Sequence, residues 1–494
     1  MRLTELIRRA SLAPAPVLQP AQADPDILGI SADSRAIRPG YLFAAMSGAK
    51  VDGGRFLADA AARGAVAALA GRDAALDAAE GFPVVRADNA RLALARFAAG
   101  FYGAQPRIVA AVTGTNGKSS VAHFTRALWQ SLGLPAASMG TLGLVSPQLN
   151  RAGGLTTPDP VAMHADLAAL AQAGVEHLAL EASSHGLEQF RLDGVQFAAA
   201  AYTNLSRDHL DYHRTMEAYF AAKARLFADL LPGGGTAVIN ADAPEAESLE
   251  AICTRRGHRL LRYGKAGREL KLIDGAATAH GQRLSLDVLG NRRQVELSLV
   301  GGFQAANVLA ALGLVLSEDL DVDAVLAGLP GLRGAPGRLQ HVGSTSDGAP
   351  VYVDYAHTPD ALETVIRALR PHVEGRLVVV FGCGGDRDAG KRPIMGSIAA
   401  RLADIAILTD DNPRTEDAAA IRRAVREGAP DAENLREIGD RHEAIEAAVG
   451  ELRAGDALIV AGKGHEPGQI VGATVLPFDD VAVARAALQA RGAA

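Results

Sequence analysis

Short apolar runs bounded by Gly, Pro or charged residues recur along the chain, with amphipathic stretches between them. RIVAAVT (107–113) is a β-rich run of strand length. Beyond the glycine-rich loop that follows, Val121, Phe124, Thr125, Leu128 and Leu132 fall on one helical face, which Gly133 closes. HLALEAS, FAAAAYT and TAVINAD repeat the strand pattern further on. From about Gly334, the runs PVYVD, RLVVVFG, DIAILT and DALIVAG alternate with amphipathic helical stretches, which predicts a largely parallel sheet. Nearer the start, FLADAAARGAVAALA has Ala and Leu at helical spacing and reads as a helix running into a short strand that ends on Gly71. ARLALARFAAGFYG leads from there into the βα unit of RIVAAVT. The pattern is α/β throughout, with no internal repeats.

Composition narrows this picture. A chain of 494 residues exceeds what one hydrophobic core supports, so two to four domains are expected. Apolar and charged fractions of 48% and 21% are ordinary for a globular protein, and a formal charge of −6 gives no electrostatic case for a nucleic-acid partner. The two cysteines, Cys253 and Cys383, support neither a disulfide framework nor a cysteine zinc site, which suits a reducing cytosol. The N-terminal MRLTELIRRASLAPAPVLQP has no continuous apolar core, so a signal peptide is not expected. No run approaches the ~20 apolar residues of a membrane span. A soluble, cytoplasmic protein without membrane insertion is the expectation.

The chemistry concentrates where strands end. The four strands of the last unit run into YAHTPD, CGGDRDAGKRP, DDNPR and GKGHEPG, and ligands of open α/β sheets bind at the carboxyl ends of strands. These loops are therefore expected to form one rim of one site, with Arg414 on it. VTGTNGKSS (112–120) joins strand to helix through Gly114 and Gly117, a cradle for phosphate oxygens in which Lys118 would neutralise charge and Ser119 would face Mg²⁺. Only two residues separate its glycines, where the usual Walker sequence has four. Glu181 sits near the end of an apolar strand, where a carboxylate is costly to bury unless paired, and Mg²⁺ is a natural partner. In TNLSRDHLDYH a zinc site at His209 and His213 is conceivable, as is a solvated loop. A metal or phosphate role for His209 is preferred, because its strand should share a sheet with the phosphate loop. Lys223 falls on an apolar stripe made by Met216, Tyr219, Phe220, Leu226, Phe227 and Leu230, which leaves either a snorkelling lysine or a functional amine. GCGGDRD fails the dinucleotide fingerprint because Arg387 occupies its third glycine position, so an NAD enzyme is disfavoured.

Taken in order, TGTNGKSS, EASSHGLEQFR, TNLSRDHLDYH, GGFQAANVLAA, GAPGRLQ, VDYAHTPDALE, GCGGDRDAGKRP, TDDNPR and VAGKGHE resemble the signature blocks of the Mur ligase family over nearly the whole chain. The resemblance implies three domains: a UDP-sugar-binding α/β domain (1–87), a central P-loop ATPase domain with a mostly parallel sheet (88–333) and a Rossmann-like amino-acid domain (334–494). It implies ATP-dependent amide-bond formation in peptidoglycan synthesis, and through that in cell-wall biogenesis, cell shape and division. Within the family DNPR is the motif that recognises meso-2,6-diaminopimelate, so the implied substrates are that amino acid and UDP-N-acetylmuramoyl-L-Ala-D-Glu.

Site residues follow by similarity. Gly114, Thr115, Asn116, Gly117, Lys118, Ser119 and Ser120 would bind ATP, and Asn307, Arg338 and Asp354 would contact the nucleotide. Ser119, Glu181 and His209 would position Mg²⁺, joined by Lys223 if it is carbamylated as in the family. Ser34 with Ala49, Lys50 and Val51 would contact the UDP sugar. Thr156, Thr157, Ser183, Gln189 and Arg191 would contact the muramoyl dipeptide. Arg387, Asp411, Asn412, Pro413, Arg414, Gly462 and Glu466 would form the diaminopimelate pocket. Gln304 stands where the family usually has Asn. The implied mechanism is phosphoryl transfer to a carboxylate followed by amine attack, with domain closure excluding water, in a monomer. The alternatives are the lysine-adding ligase of the same step, a folylpolyglutamate synthase-like ligase and, outside the ligases, a P-loop switch that hydrolyses ATP without an acceptor.

Overall fold

The computed structural model describes residues 1–20, 23–46, 52–77, 79, 81–278 and 281–492. They form two compact units, 1–268 with 310–321 and 269–309 with 322–494. Ala49, Lys50 and Val51 lie outside the described residues.

The first unit holds two sheets. Its N-terminal sheet runs in the order Val17–Gln19, Val84–Ala87, Ala65–Gly71, Tyr41–Ala44, Gly29–Ser31, parallel except for the first strand. The predicted helix and strand are Leu57–Ala62 and Ala65–Gly71. Leu3, Leu6, Leu42, Leu69, Val85 and Phe97 fill the core over this sheet. The second sheet orders its parallel strands Arg259–Gly264, Thr236–Asn240, Ala199–Tyr202, Ile108–Thr113, His177–Glu181 and Ala136–Gly140. These strands are buried on both faces, which is why they read as unbroken apolar runs. Ile108–Thr113 lies between Ala199–Tyr202 and His177–Glu181, with Thr113 opposite Tyr202 and Val112 opposite Glu181. Three strand ends thus converge on the start of helix Lys118–Ser131.

In the second unit a six-stranded sheet runs in the order Gln340–Ser344, Pro350–Asp354, Ala457–Ala461, Leu377–Phe381, Ile405–Leu408, Leu435–Glu437, parallel except at its first edge. One face packs on Leu362, Ile366, Met395 and Val425, the other on Ile445, Val449, Ala484 and Leu488. The four predicted strands are therefore adjacent in this sheet, and their terminal loops share one edge. The same unit contains an antiparallel meander, Leu270–Thr278, Gly281–Val288 and Asn291–Leu297, that the hydrophobic pattern did not announce.

Candidate active site

The loop after Thr113 is shaped by glycine where nothing else fits. Gly114 has φ +148°, and a Cβ there would lie 1.9 Å from the Thr203 hydroxyl. Gly117 has φ +88° and leads into the helix that starts at Lys118. Neighbouring strands splint the loop: Thr115 N–H donates to Asn204 O at 2.9 Å, Asn116 N–H donates to Asn204 Oδ1 at 2.9 Å, and the Thr203 hydroxyl donates to Asn116 O at 2.6 Å. Lys118 Nζ curls back onto Gly114 O (2.9 Å) and Thr115 O (2.8 Å). Ser120 is buried at the start of the same helix. A helix N-terminus, oriented backbone amides and an ammonium group make an anion cradle.

Ser119, at the start of its helix, meets Glu181, at the end of its strand. The Ser119 hydroxyl donates to Glu181 Oε2 at 3.0 Å. Thr141 donates to Oε1 through its N–H (2.9 Å) and to Oε2 through its hydroxyl (3.2 Å). The carboxylate is 2% exposed, and the absence of a side chain at Gly140 lets it fit, since a Cβ there would fall 2.1 Å from Oε1. Among the described residues no group of three or more His, Cys, Asp or Glu side chains could hold a metal ion, so the His209–His213 zinc site is not formed. A hydroxyl and one carboxylate are hard oxygen donors, and they fit Mg²⁺, which keeps waters and phosphate oxygens for the rest of its shell.

Lys223 does not snorkel. It is 1% exposed, its Nζ lies 4.3 Å from the centre of the Tyr219 ring, and it donates to Gly114 O at 2.7 Å, the carbonyl that Lys118 also uses. Burial, and after it the charge of Lys118, holds the Lys223 amine well below its usual pKa. Tyr219 links this amine to the loop through a 3.2 Å contact between its hydroxyl and that of Thr115. His209, at φ +52°, is in a ring cluster with His185 (4.9 Å between centres) and Tyr219 (6.1 Å). Burial, followed by the charges of His209 and His213, pushes His185 down to about 4.

The residues expected against the dipeptide form one chain of bonds beside Glu181. The Thr156 hydroxyl lies 3.0 Å from that of Thr141, and the Thr157 hydroxyl donates to Glu181 O at 2.9 Å. Ser183 donates to Thr157 Oγ1 at 3.0 Å from both its N–H and its hydroxyl. Arg191 donates to Thr157 O (2.7 Å) and Gln189 Oε1 (2.6 Å). Ser34 is buried at the start of a short 3₁₀ turn in the N-terminal sheet region.

In the second unit the strand-end loops are zipped together. Gly385 N–H donates to Asn412 O at 2.9 Å, Arg414 Nη1 donates to Gly385 O at 2.8 Å, and the Thr415 hydroxyl donates to Asp386 at 2.7 Å. Arg414 adopts φ +53°, and its backbone bonds Ile470 O and Gly472 N–H of the hairpin Gly468–Pro477. Arg387 is exposed on the adjoining loop, whereas Asp411, Asn412 and Pro413 are buried. Gly462, at φ +125°, allows close approach: a Cβ there would meet Asp411 Oδ2 at 2.5 Å. Glu466 accepts from Asn412 Nδ2 at 3.0 Å.

Asp354 ends its strand buried, and burial pushes it up to about 6 against the opposing charge of Arg338 and bonds from the Leu339 and Ala356 amides. The Arg338 guanidinium lies over the Tyr355 ring, 4.8 Å from its centre. Asn307 donates to Gln304 Oε1 at 3.0 Å, so the longer amide at 304 serves as an internal acceptor.

Lys463 and Arg441 are buried cations that were not anticipated. Lys463 is wholly buried within GKGHE, 3.0 Å from Asn412 Oδ1. Arg441 pairs with Asp480 through two 2.7 Å bonds, both side chains 0% exposed, and also donates to Ala461 O (3.1 Å) and Asp410 O (3.4 Å) at the ends of two site strands. The glycines flanking Lys463 were the only sequence signal for the first. The second had none, because its partners stand 39 positions apart.

The chain resembles known proteins over nearly its whole length. Residues 26–102 match the Mur ligase family catalytic domain, 112–315 the Mur ligase middle domain and 337–464 the Mur ligase glutamate ligase domain. A UDP-N-acetylmuramoyl-L-alanyl-D-glutamate–2,6-diaminopimelate ligase of Mesorhizobium japonicum is 53% identical over 478 residues, covering 97% of this chain and 98% of the relative. A solved structure of a ligase with that name superposes with a TM-score of 0.70 at 36% identity, covering 95% of this chain and 96% of the other. The MurF ligase of Thermotoga maritima in complex with ADP shares the fold, with a TM-score of 0.59 at 19% identity over 94% of this chain and 96% of that one.

Proposed function

The chain belongs to the Mur ligase family, and from that premise we propose that it joins meso-2,6-diaminopimelate to the D-Glu γ-carboxylate of UDP-N-acetylmuramoyl-L-Ala-D-Glu, with ATP converted to ADP and phosphate. The observation that carries this reading is the 53% identity, over 97% of this chain, to the diaminopimelate ligase of Mesorhizobium japonicum. The residues described in each unit fit it chemically.

The γ-phosphoryl group passes from ATP to the carboxylate, ADP leaves, and the diaminopimelate amine attacks the resulting acyl phosphate. The tetrahedral adduct then expels phosphate and leaves an amide. Two anions meet in the first step. Lys118 and the amides at the start of its helix offset that repulsion. Mg²⁺, which Ser119, Glu181 and His209 would hold, would supply further positive charge at the phosphates. Lys223 has a buried amine whose pKa is lowered by burial and then by the charge of Lys118, and its neutral form can add to CO₂ with loss of one proton, giving a carbamate anion where a cation would repel Lys118. Thr156, Thr157, Ser183, Gln189 and Arg191 orient the dipeptide, Ser34 with Ala49, Lys50 and Val51 the UDP sugar, and Asn307, Arg338 and Asp354 the nucleotide. The work is divided among domains 1–87, 88–333 and 334–494 of a cytoplasmic monomer, and exclusion of water would keep the acyl phosphate from hydrolysis.

Arg414 carries the choice of amino acid, with Arg387, Asp411, Asn412, Pro413, Gly462 and Glu466 around it. Diaminopimelate and lysine differ at the far end by one carboxylate, which a planar guanidinium can grip at both oxygens. Charge-assisted bonds contribute about 1.5–3 kcal/mol each, so Arg414→Ala should raise KM for diaminopimelate at least ~10-fold and leave that for ATP unchanged. ADP release on the UDP-muramoyl dipeptide, compared between meso-diaminopimelate and L-lysine, tests the assignment. Wild-type protein that uses both amino acids would sink it.

A further inference from the structure

The Lys463 ammonium group is fully buried, on a short loop where burial is not forced by the hydrophobic pattern. Gly462 and Gly464, at φ +125° and +58°, turn the backbone so tightly that a Cβ at 464 would lie 2.7 Å from the Tyr355 side chain. The lysine is thereby aimed inward. Its Nζ donates to Asn412 Oδ1 at 3.0 Å and faces Glu466 Oε2 at 3.5 Å. Asn412 Oδ1 accepts a second bond from Ile470 N–H (2.9 Å), and Asn412 Nδ2 donates to the same Glu466 oxygen (3.0 Å). Tyr355 OH reaches the other oxygen of Glu466 at 3.5 Å. With both donors on its oxygen, the Asn412 amide has one orientation, and Lys463, Asn412 and Glu466 close a triangle. That triangle ties the loop bearing Arg414 to the loop bearing Glu466.

A buried ammonium is costly to desolvate, and its retention asks for a task that an apolar side chain would not perform. We propose that Lys463 is a positioning residue that fixes the Glu466 carboxylate relative to the Arg414 guanidinium, so that the pair reads the configuration of the distal stereocentre of the diamino acid. This rests on the diaminopimelate reading above. At that carbon a carboxylate and an ammonium group share one centre with the incoming chain. Arg414 takes the carboxylate, Glu466 the ammonium, and the chain points back to the reacting amine. Three fixed directions separate mirror images, whereas two loops free to slide against each other do not. Arg414 and Glu466 act on the ligand, and Lys463 acts through them.

The test compares wild type with Lys463→Met, which keeps length and removes charge, and with Lys463→Gln as a second replacement. ADP release is measured on the UDP-muramoyl dipeptide with meso- and LL-diaminopimelate in turn. The expected result is a rise in KM for the meso isomer of about tenfold, the loss of one charge-assisted contact, with a narrowed meso-over-LL preference. KM values for ATP and the UDP-sugar should hold, and Lys463→Arg should recover part of the preference. A residue with a merely structural role would lower Tm and kcat while leaving KM and isomer ratio alone, and that outcome overturns the proposal. Insolubility of both replacements also overturns it, since a residue required for folding is not specific to positioning. Wild-type protein that ignores meso-diaminopimelate overturns the functional reading and this inference with it. Wild type that uses it, beside soluble variants with unchanged KM and ratio, overturns this inference alone.

Discussion

Replacing Glu181 by Gln isolates charge from shape. The carboxylate is 2% exposed and takes its bonds from neutral donors: the Ser119 hydroxyl at 3.0 Å and the Thr141 N–H and hydroxyl at 2.9 and 3.2 Å. An amide fits the same space. Its oxygen can keep the bond from the Thr141 N–H, while both hydroxyls can rotate to accept from its NH₂ group. The structural loss is therefore small. It is partly offset because a neutral group replaces a buried charge, so Tm should stay within a few degrees or rise. Function should respond in the opposite sense. If Glu181 supplies a formal charge to Mg²⁺, its removal deletes an interaction of about 1.5–3 kcal/mol, the range for bonds involving charged groups. The Mg²⁺ concentration giving half-maximal ADP release should then rise about 10- to 100-fold. The assay is a Mg²⁺ titration of ADP release at saturating substrates, alongside a thermal melt. An unchanged Mg²⁺ midpoint in a folded variant would refute the assignment of Glu181, and a large drop in Tm would refute the account of its neutral bonding.

Further outcomes follow from the same geometry. Lys118→Ala should abolish ligation without loss of fold, read by ADP release and circular dichroism, because its ammonium group lies on the loop carbonyls and faces the cradle. Lys223→Ala should lose most activity and regain part of it with added short carboxylates, and the active wild-type protein should carry the mass of one bound CO₂. Asp354 has its folded pKa raised from 3.8 to about 6, so the folded state holds a proton there that the unfolded chain has released. Its contribution to stability is present below pH ~4 and is lost as pH rises to ~6, so Tm of wild type relative to Asp354→Asn should fall across that window.

The parallel sheets were legible because strands covered on both faces leave unbroken apolar runs, as in LVVVF and IVAAVT. The meander was hidden for the converse reason. Its first strand is almost wholly exposed beyond Leu270, and its second turn uses Leu289 and Gly290 at φ +52° and +87°, where Asn-Gly would have signalled a hairpin. The phosphate loop could be read locally because glycine, lysine and serine spacing encode it within nine residues. Lys463 could not, since a lysine between glycines looks solvent-facing until the Asn412 loop is placed over it. Asp480 follows the capping residue Asp479 and passes for ordinary acid at a helix start, so its pairing with Arg441 emerges only from the packed fold.

That buried pair also governs how the sequence can drift. Arg441 holds the carbonyls of Asp410 and Ala461 while its guanidinium pairs directly with Asp480 of the helix Asp480–Ala490. Losing either partner alone leaves an uncompensated charge at a cost of about 3–5 kcal/mol, a large share of what keeps a domain folded. Exchanging both for apolar groups of matching volume is far cheaper, yet it would leave the two strand ends without their common donor. Mutational paths are therefore closed at the single step by stability and, on the proposed function, at the double step by substrate recognition. Helix Asp480–Ala490, which contributes none of the residues proposed for the pocket, is in this way locked by epistasis to the proposed amino-acid site.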